Sequence, residues 1–501
     1  MGVSGHGVVA AGHPLTAQAG AEVLREGGNA VDAAVGAMLT SFVAEPLLTG
    51  LGAGGYMMVA GAGREPVLLD FFVQAPRREA GASGLVDLEA VDVSFGDADQ
   101  VFYIGPASCG LYGAPAGVCA AIERWGSMSL ADLAEPAARL ARRGVRLNAE
   151  QAYVAEILTD LLLSSKECAA LWAPEGHVLR EGETLRDPEL ADALIRLGQD
   201  GAEPFYRGDI AAAVRAWLES KGGSFGAEEL ASYDALEREP VRLSYRDREV
   251  LTNPPPSAGG TLLAYALALL DREPGPPTLE GLVRAMIAAQ SERTVEFVEG
   301  LGEEGFLERF LAKRLGSTTH ISVLDGEGLA CSVTCTNGAG SSVVVPGTGL
   351  HINNIMGEED LNPLGFHRHP PGERMPSMMA PSIVLREGAV ELVLGSAGSN
   401  RIRSALLQTI VGVVDLGLDA PEAVRAPRVH FENGVVFAEP GIDLSELDGG
   451  IAAGTAGYEE LQLVGFRSLN LFFGGVQAVQ SRGRTLVGAG DPRRGGVAVA
   501  A

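Results

Sequence analysis

The sequence predicts a layered α+β sandwich, and three observations carry that prediction. Segments with apolar residues at helical spacing fill most of the chain before Thr318. Strand-like runs are sparse there and crowd together after it. Of the 501 residues, 46% are hydrophobic, enough for one large or two ordinary domains that bury about three quarters of the unfolded surface. Helices lying before and around runs of antiparallel strands can cover their apolar faces by stacking in layers.

Taken in order, LTAQAGAEVLREGG has helical periodicity and ends on Gly27 and Gly28, residues suited to a left-handed helix stop. Asn29 can then cap AVDAAVGAMLTSFVAE, so a tight turn joins two helices. GYMMVAG and PVLLDFF read as strands. Helical patterns return at LADLAEPAARLARRG, LNAEQAYVAEILTDLLL, PELADALIRLGQD, IAAAVRAWLESKG and GTLLAYALALLD, with strand signal at VRLSYRDREVLTN. After Thr318 come the strands THISVLD, GLACSVTCT, SSVVVP, APSIVLRE and AVELVLG, the first two joined into a hairpin by the DGEG turn at 325–328. Residues 357–374, GEEDLNPLGFHRHPPGER, read as a surface loop or lid.

Composition narrows the function classes. With 64 acidic against 38 basic residues, a formal charge of −26 repels phosphate backbones and anionic lipid, so neither nucleic acid nor a membrane surface is an expected partner. Cys109, Cys119, Cys168, Cys331 and Cys335 are odd in number and lack metal spacing, which reads as reduced thiols; Cys331 and Cys335 are expected to be buried packing groups. The N-terminal stretch has no basic flank followed by an apolar core. The most apolar run, TLLAYALALL, is about half of the roughly 20 residues a membrane span needs. A cytoplasmic protein is expected. His367 and His369 in FHRHPPG could chelate zinc, but no further ligands cluster nearby, so no metal is expected and the pair is assigned to the loop.

Chemistry concentrates in GSTTHISVLDGEGLACSVTCTNG, residues 316–338. Thr318 and Thr319 stand where one strand begins, Thr334 and Thr336 where its partner ends. Threonine favours pleated surfaces, so plain strand residues are one reading. The other is a nucleophile, and a threonine hydroxyl needs a base beside it. At a chain N-terminus its own α-amine, titrating near pH 7.7–8, can serve, which requires a cut before Thr318. A second candidate is GSAGSN, residues 395–400, a glycine-rich turn before an apolar helix. It could hold phosphate, although the spacing is not a P-loop and no Lys follows. Its amides could equally stabilise an oxyanion, an effect of about 3 kcal/mol per donor.

TTHISVLDGEG followed by TCT, the opening blocks HPLTAQAGAEVLREGGNAVDAAV and AEPLLTGLGAGGYMMV, then PFYRGDIA, NPPPSAGG, GTGLHINN, GSAGSNRIRSALLQTIVGVVDLG and GAGDPRRGG stand in this order along nearly the whole chain. Together they resemble the γ-glutamyltransferase family of N-terminal nucleophile hydrolases. The resemblance implies a four-layer αββα sandwich with a helical coat from the large subunit. It implies a precursor that cuts itself between Ser317 and Thr318 into a large subunit, 1–317, and a small subunit, 318–501, which remain together as a heterodimer forming one αββα unit. It makes Thr318 the nucleophile and Thr336 the hydroxyl that supports it. Gly398 and Ser399 supply the oxyanion-binding N–H groups where the family has Gly-Gly. The substrate would be a γ-glutamyl amide such as glutathione, the acceptor water or an amine, and no cofactor is implied.

The substrate-binding positions depart from the family pattern. DFFVQAP has Phe72 where the family's DFREMAP has the arginine that forks onto an α-carboxylate. NNIMGEE retains Asn354, has Glu358 at the position of the acid that meets the α-ammonium, and has Ile355 where a glutamine is common. Ser377 survives from a serine pair whose second member is Met378, and Gly338 replaces an asparagine, with Asn337 displaced by one. Apolar groups cannot offset the desolvation of an α-carboxylate. Three functions follow: a γ-glutamyltransferase or glutathione hydrolase, an amidase or acylase for a different acyl group, or an unprocessed, inactive binding protein, which intact mass would separate from the other two.

Overall fold

The computed structural model, which describes residues 5–77, 88–94, 99–223, 225–291, 319–362, 365–447 and 461–501, stacks two antiparallel sheets face to face. The seven-stranded sheet runs Val497–Ala500, Gly7–Ala11, Thr319–Asp325, Leu329–Thr336, Gly54–Gly61, Arg64–Phe71, Leu236–Arg238. The six-stranded sheet runs Thr485–Ala489, Gly475–Arg482, Ala389–Ala397, Ser382–Arg386, Arg248–Thr252, Val241–Tyr245. Helices Pro14–Arg25 and Ala30–Ala44 cover the first sheet; Ala258–Asp271 and Arg401–Val414 cover the second. This is the four-layer αββα arrangement. Both sheets contain strands from 1–317 and from 318–501, so neither part carries a complete sheet. Ser317 and Thr318, and with them the junction, lie outside the described residues.

The layering follows from side-chain alternation. On the central strands Thr319–Asp325 and Leu329–Thr336, every residue is buried. Ile321, Val323, Cys331, Val333 and Cys335 join the core beneath the helix pair. The alternate positions hold His320, Ser322, Ser332, Thr334 and Thr336, of which the first four form polar contacts among themselves and, through Ser322 and Ser332, to the second sheet. The His320 ring places Nδ1 2.8 Å from Thr334 Oγ1 and Nε2 2.9 Å from Ser322 Oγ. Ser322 then donates to the Gln477 carbonyl and Ser332 to the Leu394 carbonyl, each at 3.1 Å, tying the two sheets together. Such buried groups are tolerated because each finds a partner.

Local signals were met at the first helix pair: the Asn29 side chain accepts from Val31 and Asp32 N–H, and Asp32 accepts in return from Asn29 N–H, a full capping box. SSVVVP, expected as a full strand, pairs only over Val344–Val345. The Ser341 hydroxyl accepts from Val343 N–H at 3.1 Å and donates to the Ile352 carbonyl at 2.7 Å, local bonds that compete with a ladder. In the segment expected as a surface loop, residues 365–373 are half-buried to exposed, while Glu358 and Arg374 at its two ends are buried.

Gly395 faces the imidazole of His320, and a Cβ there would fall inside the ring's contact distance. Gly395→Ala should therefore lower stability by about 1–3 kcal/mol, the usual range for overpacking, read as a lower urea midpoint at unchanged m. A midpoint equal to wild type would mean the ring does not occupy this place.

Candidate functional site

Two adjoining cavities, of about 350 Å3 and about 120 Å3, lie where the strand ends Thr319, Thr336 and Ala397 come together. Leu47, Leu48, Val154, Leu471 and Arg494 line both.

The smaller cavity gathers Thr336, Gly338, Glu358, Gly398 and Ser399 from three separate segments. Thr336 ends its strand, and its Oγ1 accepts from Gly338 N–H at 2.7 Å, which leaves its own hydroxyl hydrogen to donate elsewhere. Gly338 has φ 67, and a Cβ would lie 2.7 Å from Glu358 Oε1 and closer still to Asn354, so glycine is what allows both side chains against this turn. Asn354 braces that turn: Oδ1 accepts from Ala339 N–H at 2.9 Å and Nδ2 donates to the Tyr103 carbonyl at 3.2 Å. Gly398 and Ser399 link strand Ala389–Ala397 to helix Arg401–Val414 with φ of 122 and 52. A Cβ on Gly398 would lie 2.7 Å from Gly474 Cα. Ser399 therefore holds a left-handed conformation that costs on the order of 1–3 kcal/mol outside glycine, a strain associated with functional turns.

The larger cavity has apolar walls including Leu147, Val154 and Trp172, and polar groups His13, Glu45, Gln151 and Arg494. Glu45 directly follows helix Ala30–Ala44; Thr16 Oγ1 donates to one carboxyl oxygen at 2.7 Å and Thr319 Oγ1 to the other at 3.2 Å. Burial pushes this carboxyl up to about 7, and the two hydroxyls offset only part of the rise. A Cβ at Gly12 would lie 2.6 Å from Glu45 Oε2, so the neighbouring glycine makes room for the carboxyl. Glu45 was not singled out in the sequence; its one signal is an acid standing in the apolar run SFVAEPLLTG. Burial lowers His320 to about 3 and His13 to about 4, so both rings are neutral near pH 7.

Several sequence-assigned positions fall elsewhere. Ser317 and Thr318 lie outside the described residues, and the described chain resumes at Thr319. Phe72, Ser377 and Met378, which the sequence assigned to the substrate, are fully buried and line neither cavity. Phe72 stacks on Tyr56 with ring centroids 5.4 Å apart. Ser377 Oγ accepts from Met379 N–H at 3.0 Å, and its carbonyl accepts from Ser257 Oγ at 3.1 Å. Met378 packs its backbone against Gly259 in helix Ala258–Asp271. The apolar side chains of Phe72 and Met378 gain from burial in the core. Ile355 shares that core.

His369 Nε2 lies 2.9 Å from the Arg374 carbonyl, within the loop itself. Among the described residues no three His, Cys, Asp or Glu side chains converge to hold a metal ion, and no helix is long and apolar enough to cross a membrane. Cys331 and Cys335 are buried in the helix-side core, and burial pushes the Cys335 thiol up to about 12.

Against known proteins, the gamma-glutamyltranspeptidase family profile matches residues 16–299 and 302–501. The chain is 30% identical over 473 residues to the acylase ACY 1 proenzyme of Pseudomonas sp. (strain SE83), covering 87% of this chain and 84% of that protein. It is also 30% identical over 482 residues to the glutathione hydrolase proenzyme of Escherichia coli (strain K12), covering 85% and 81%. The crystal structure of cephalosporin acylase from Bacillus halodurans superposes with a TM-score of 0.84 at 24% identity, covering 100% of this chain and 97% of that one, a likeness of fold.

Glu45 yields a pH prediction. Its folded-state pKa of about 7 lies above the ordinary 4.5, so the fold binds the proton more tightly than the unfolded chain. The stability this contributes is full below about 4.5 and is lost as pH rises to about 7, a change of roughly 3 kcal/mol. Glu45→Gln carries no charge to bury, so its thermal midpoint should gain on wild type across that window. Midpoint curves that stay parallel would reject the assignment.

Proposed function

The chain belongs to the gamma-glutamyltranspeptidase family, and from that premise we propose that it is a self-processing amidohydrolase or acyltransferase whose nucleophile is Thr318. The observation that carries this reading is the strand register. Thr319, the residue that follows Thr318 in the sequence, pairs with Cys335, and the next residue of that partner strand, Thr336, lines a cavity with Gly398 and Ser399.

In processing, Thr318 Oγ attacks the carbonyl carbon of Ser317, and the peptide nitrogen leaves as the new α-amine, giving an ester. Water cleaves that ester, frees the Ser317 carboxyl and restores the hydroxyl. The products are 1–317 and 318–501, held together by sheets to which both contribute strands. In turnover the α-amine takes the hydroxyl proton as Oγ attacks an amide carbonyl, and Gly398 and Ser399 N–H groups receive the oxyanion. Thr336, its oxygen already accepting from Gly338, donates its hydrogen to the Thr318 oxygen. The leaving amine takes the proton, and water or an acceptor amine releases the acyl group.

Two acyl readings are compatible with the relatives: γ-glutamyl amides such as glutathione, or another acyl group. Burial of Phe72, Ser377 and Met378 favours the second, because the positions that would clamp an α-amino acid head are spent on packing. Glu358, buried beside Gly338, lines the smaller cavity.

Purified protein should separate under denaturing conditions into 1–317 and 318–501, and Thr318→Ala should remain one chain; a single full-length band with normal activity would reject the mechanism. Thr336→Val, assayed as processed enzyme, should lower kcat about ten- to a hundredfold with little change in KM, the pattern of a bond made in the transition state. An unchanged kcat would remove Thr336 from the mechanism.

A further inference from the structure

We propose that Arg494 binds a carboxylate of the amide substrate at the junction of the two cavities, an inference that rests on the proposed function for where the reacting carbonyl lies. Arg494 lines both cavities. Among the described residues it makes no ion pair: one terminal nitrogen donates to the Leu471 carbonyl at 3.2 Å, and its buried Nε has no partner. The acids nearby are already engaged. Asp491 pairs with Arg428 at 2.7 Å and with Arg493 at 3.2 Å, and Glu439 pairs with Arg493.

Burial, followed by the like charge of Arg401, pushes the Arg494 guanidinium down to about 10, so it remains charged at neutral pH. A shielded cation without a counter-charge is costly, and a ligand anion removes that cost. The backbone is shaped to admit the side chain: a Cβ at Gly475 would collide with its methylenes, and one at Gly398 would lie 3.4 Å from its terminal nitrogen. The cation thus sits beside the turn assigned to the oxyanion, within reach of a short acyl or amine substituent.

Other titratable groups face the same space. Glu45 and Glu150 line the larger cavity and Glu358 the smaller, while His13 and His320 are neutral near pH 7. Arg493 also lines the larger cavity but is neutralised by Glu439 and Asp491. Arg401 also lines the smaller cavity, but it pairs with Glu432 at 3.9 Å and donates to the Phe472 carbonyl at 3.1 Å. Arg494 is therefore the cation left for a ligand, among the described residues. With Leu147, Val154 and Trp172 on the walls, the complementary substrate is an amide that carries a carboxylate on a largely apolar skeleton.

The carboxylate can belong to the acyl group or to the amine, and two matched pairs distinguish them: glutaryl anilide against pentanoyl anilide, and 4-carboxyacetanilide against acetanilide. Wild type should favour the carboxylate member of one pair by ten- to a hundredfold in kcat/KM, the usual effect of a charge-assisted contact. Arg494→Met should bring that ratio toward one, and Arg494→Lys should restore part of it. A wild type indifferent to the carboxylate in both pairs overturns the proposal. So does Arg494→Met lowering both members by one factor, which would assign Arg494 to the oxyanion or to the fold. If wild type cleaves no anilide, the proposed function has failed on its own terms, and calorimetry with glutarate and with benzoate still decides this inference. Binding that weakens tenfold or more in Arg494→Met sustains it; binding that is absent or equal in the two proteins overturns it.

Discussion

One helix holds both ends of the strand on which the site depends. Asp325, at the far end of Thr319–Asp325, accepts from Ala30 N–H at 3.1 Å, at the first residue of helix Ala30–Ala44. Thr319, at the near end, donates to Glu45, the residue directly after that helix. A carboxylate at a helix N-terminus meets unpaired N–H groups and the positive end of the dipole, so the first tie is favourable in charge as well as geometry. The other oxygen of Asp325 accepts from Glu327 and Leu329 N–H, both at 3.0 Å, which also shapes the hairpin turn. With both ends fixed and both faces buried, a slip of one residue would turn His320 and Ser322 into the apolar core and Ile321 and Val323 onto the polar contacts. Register is therefore set by ties at both strand ends, one of them, Thr319 to Glu45, part of the wall of the larger cavity.

That fixed register bears on where the proposed catalytic and substrate-binding positions stand. Thr336 and the Gly398–Ser399 turn stand at strand ends, where backbone pairing determines their location. Phe72, Ser377 and Met378 lie on surrounding segments outside the named strands and are buried there. The buried Asp70 shows the same local logic. It is neutralised by Arg238 at 2.6 Å and approached by Arg374 at 3.5 Å, so the arginines near Phe72 serve a carboxylate of the protein itself.

Much of this architecture was legible where the signal is local. The capping box at Asn29, the hairpin over 319–336 and the glycine-rich turn before Arg401–Val414 each appear as contiguous patterns. What escaped is what depends on distant partners. GVVAA at Gly7–Ala11 is too short and too small in side chain to announce a strand, and it exists because Thr319–Asp325 and Val497–Ala500 pair with it on either side. Glu45 and Arg494 were hidden for a related reason. Each sits in a stretch that matches a wider block, GAGDPRRGG for Arg494 and AEPLLTGLGAGGYMMV for Glu45, and nothing in the block says which charged residue is paired. Of the adjacent arginines, Arg493 lies in a network with Glu439 and Asp491 whereas Arg494 turns to the cavities, a division made by three-dimensional packing alone.

The electrostatics of the molecule then act on two length scales. A formal charge of −26 repels anions from a distance, but ions screen that field beyond about 8 Å at physiological salt. Inside the cavities the dielectric is lower and screening weaker, so a nearby guanidinium outweighs a dispersed surface charge. Polyanions and anionic membranes, which must approach over a wide area, experience the global field. A small molecule with one carboxylate and an apolar body meets the local one once it reaches the mouth of the site. Repulsion of large anions by the net charge is thus compatible with the proposed binding of a small carboxylate at Arg494, because the two depend on the size over which charge is spread.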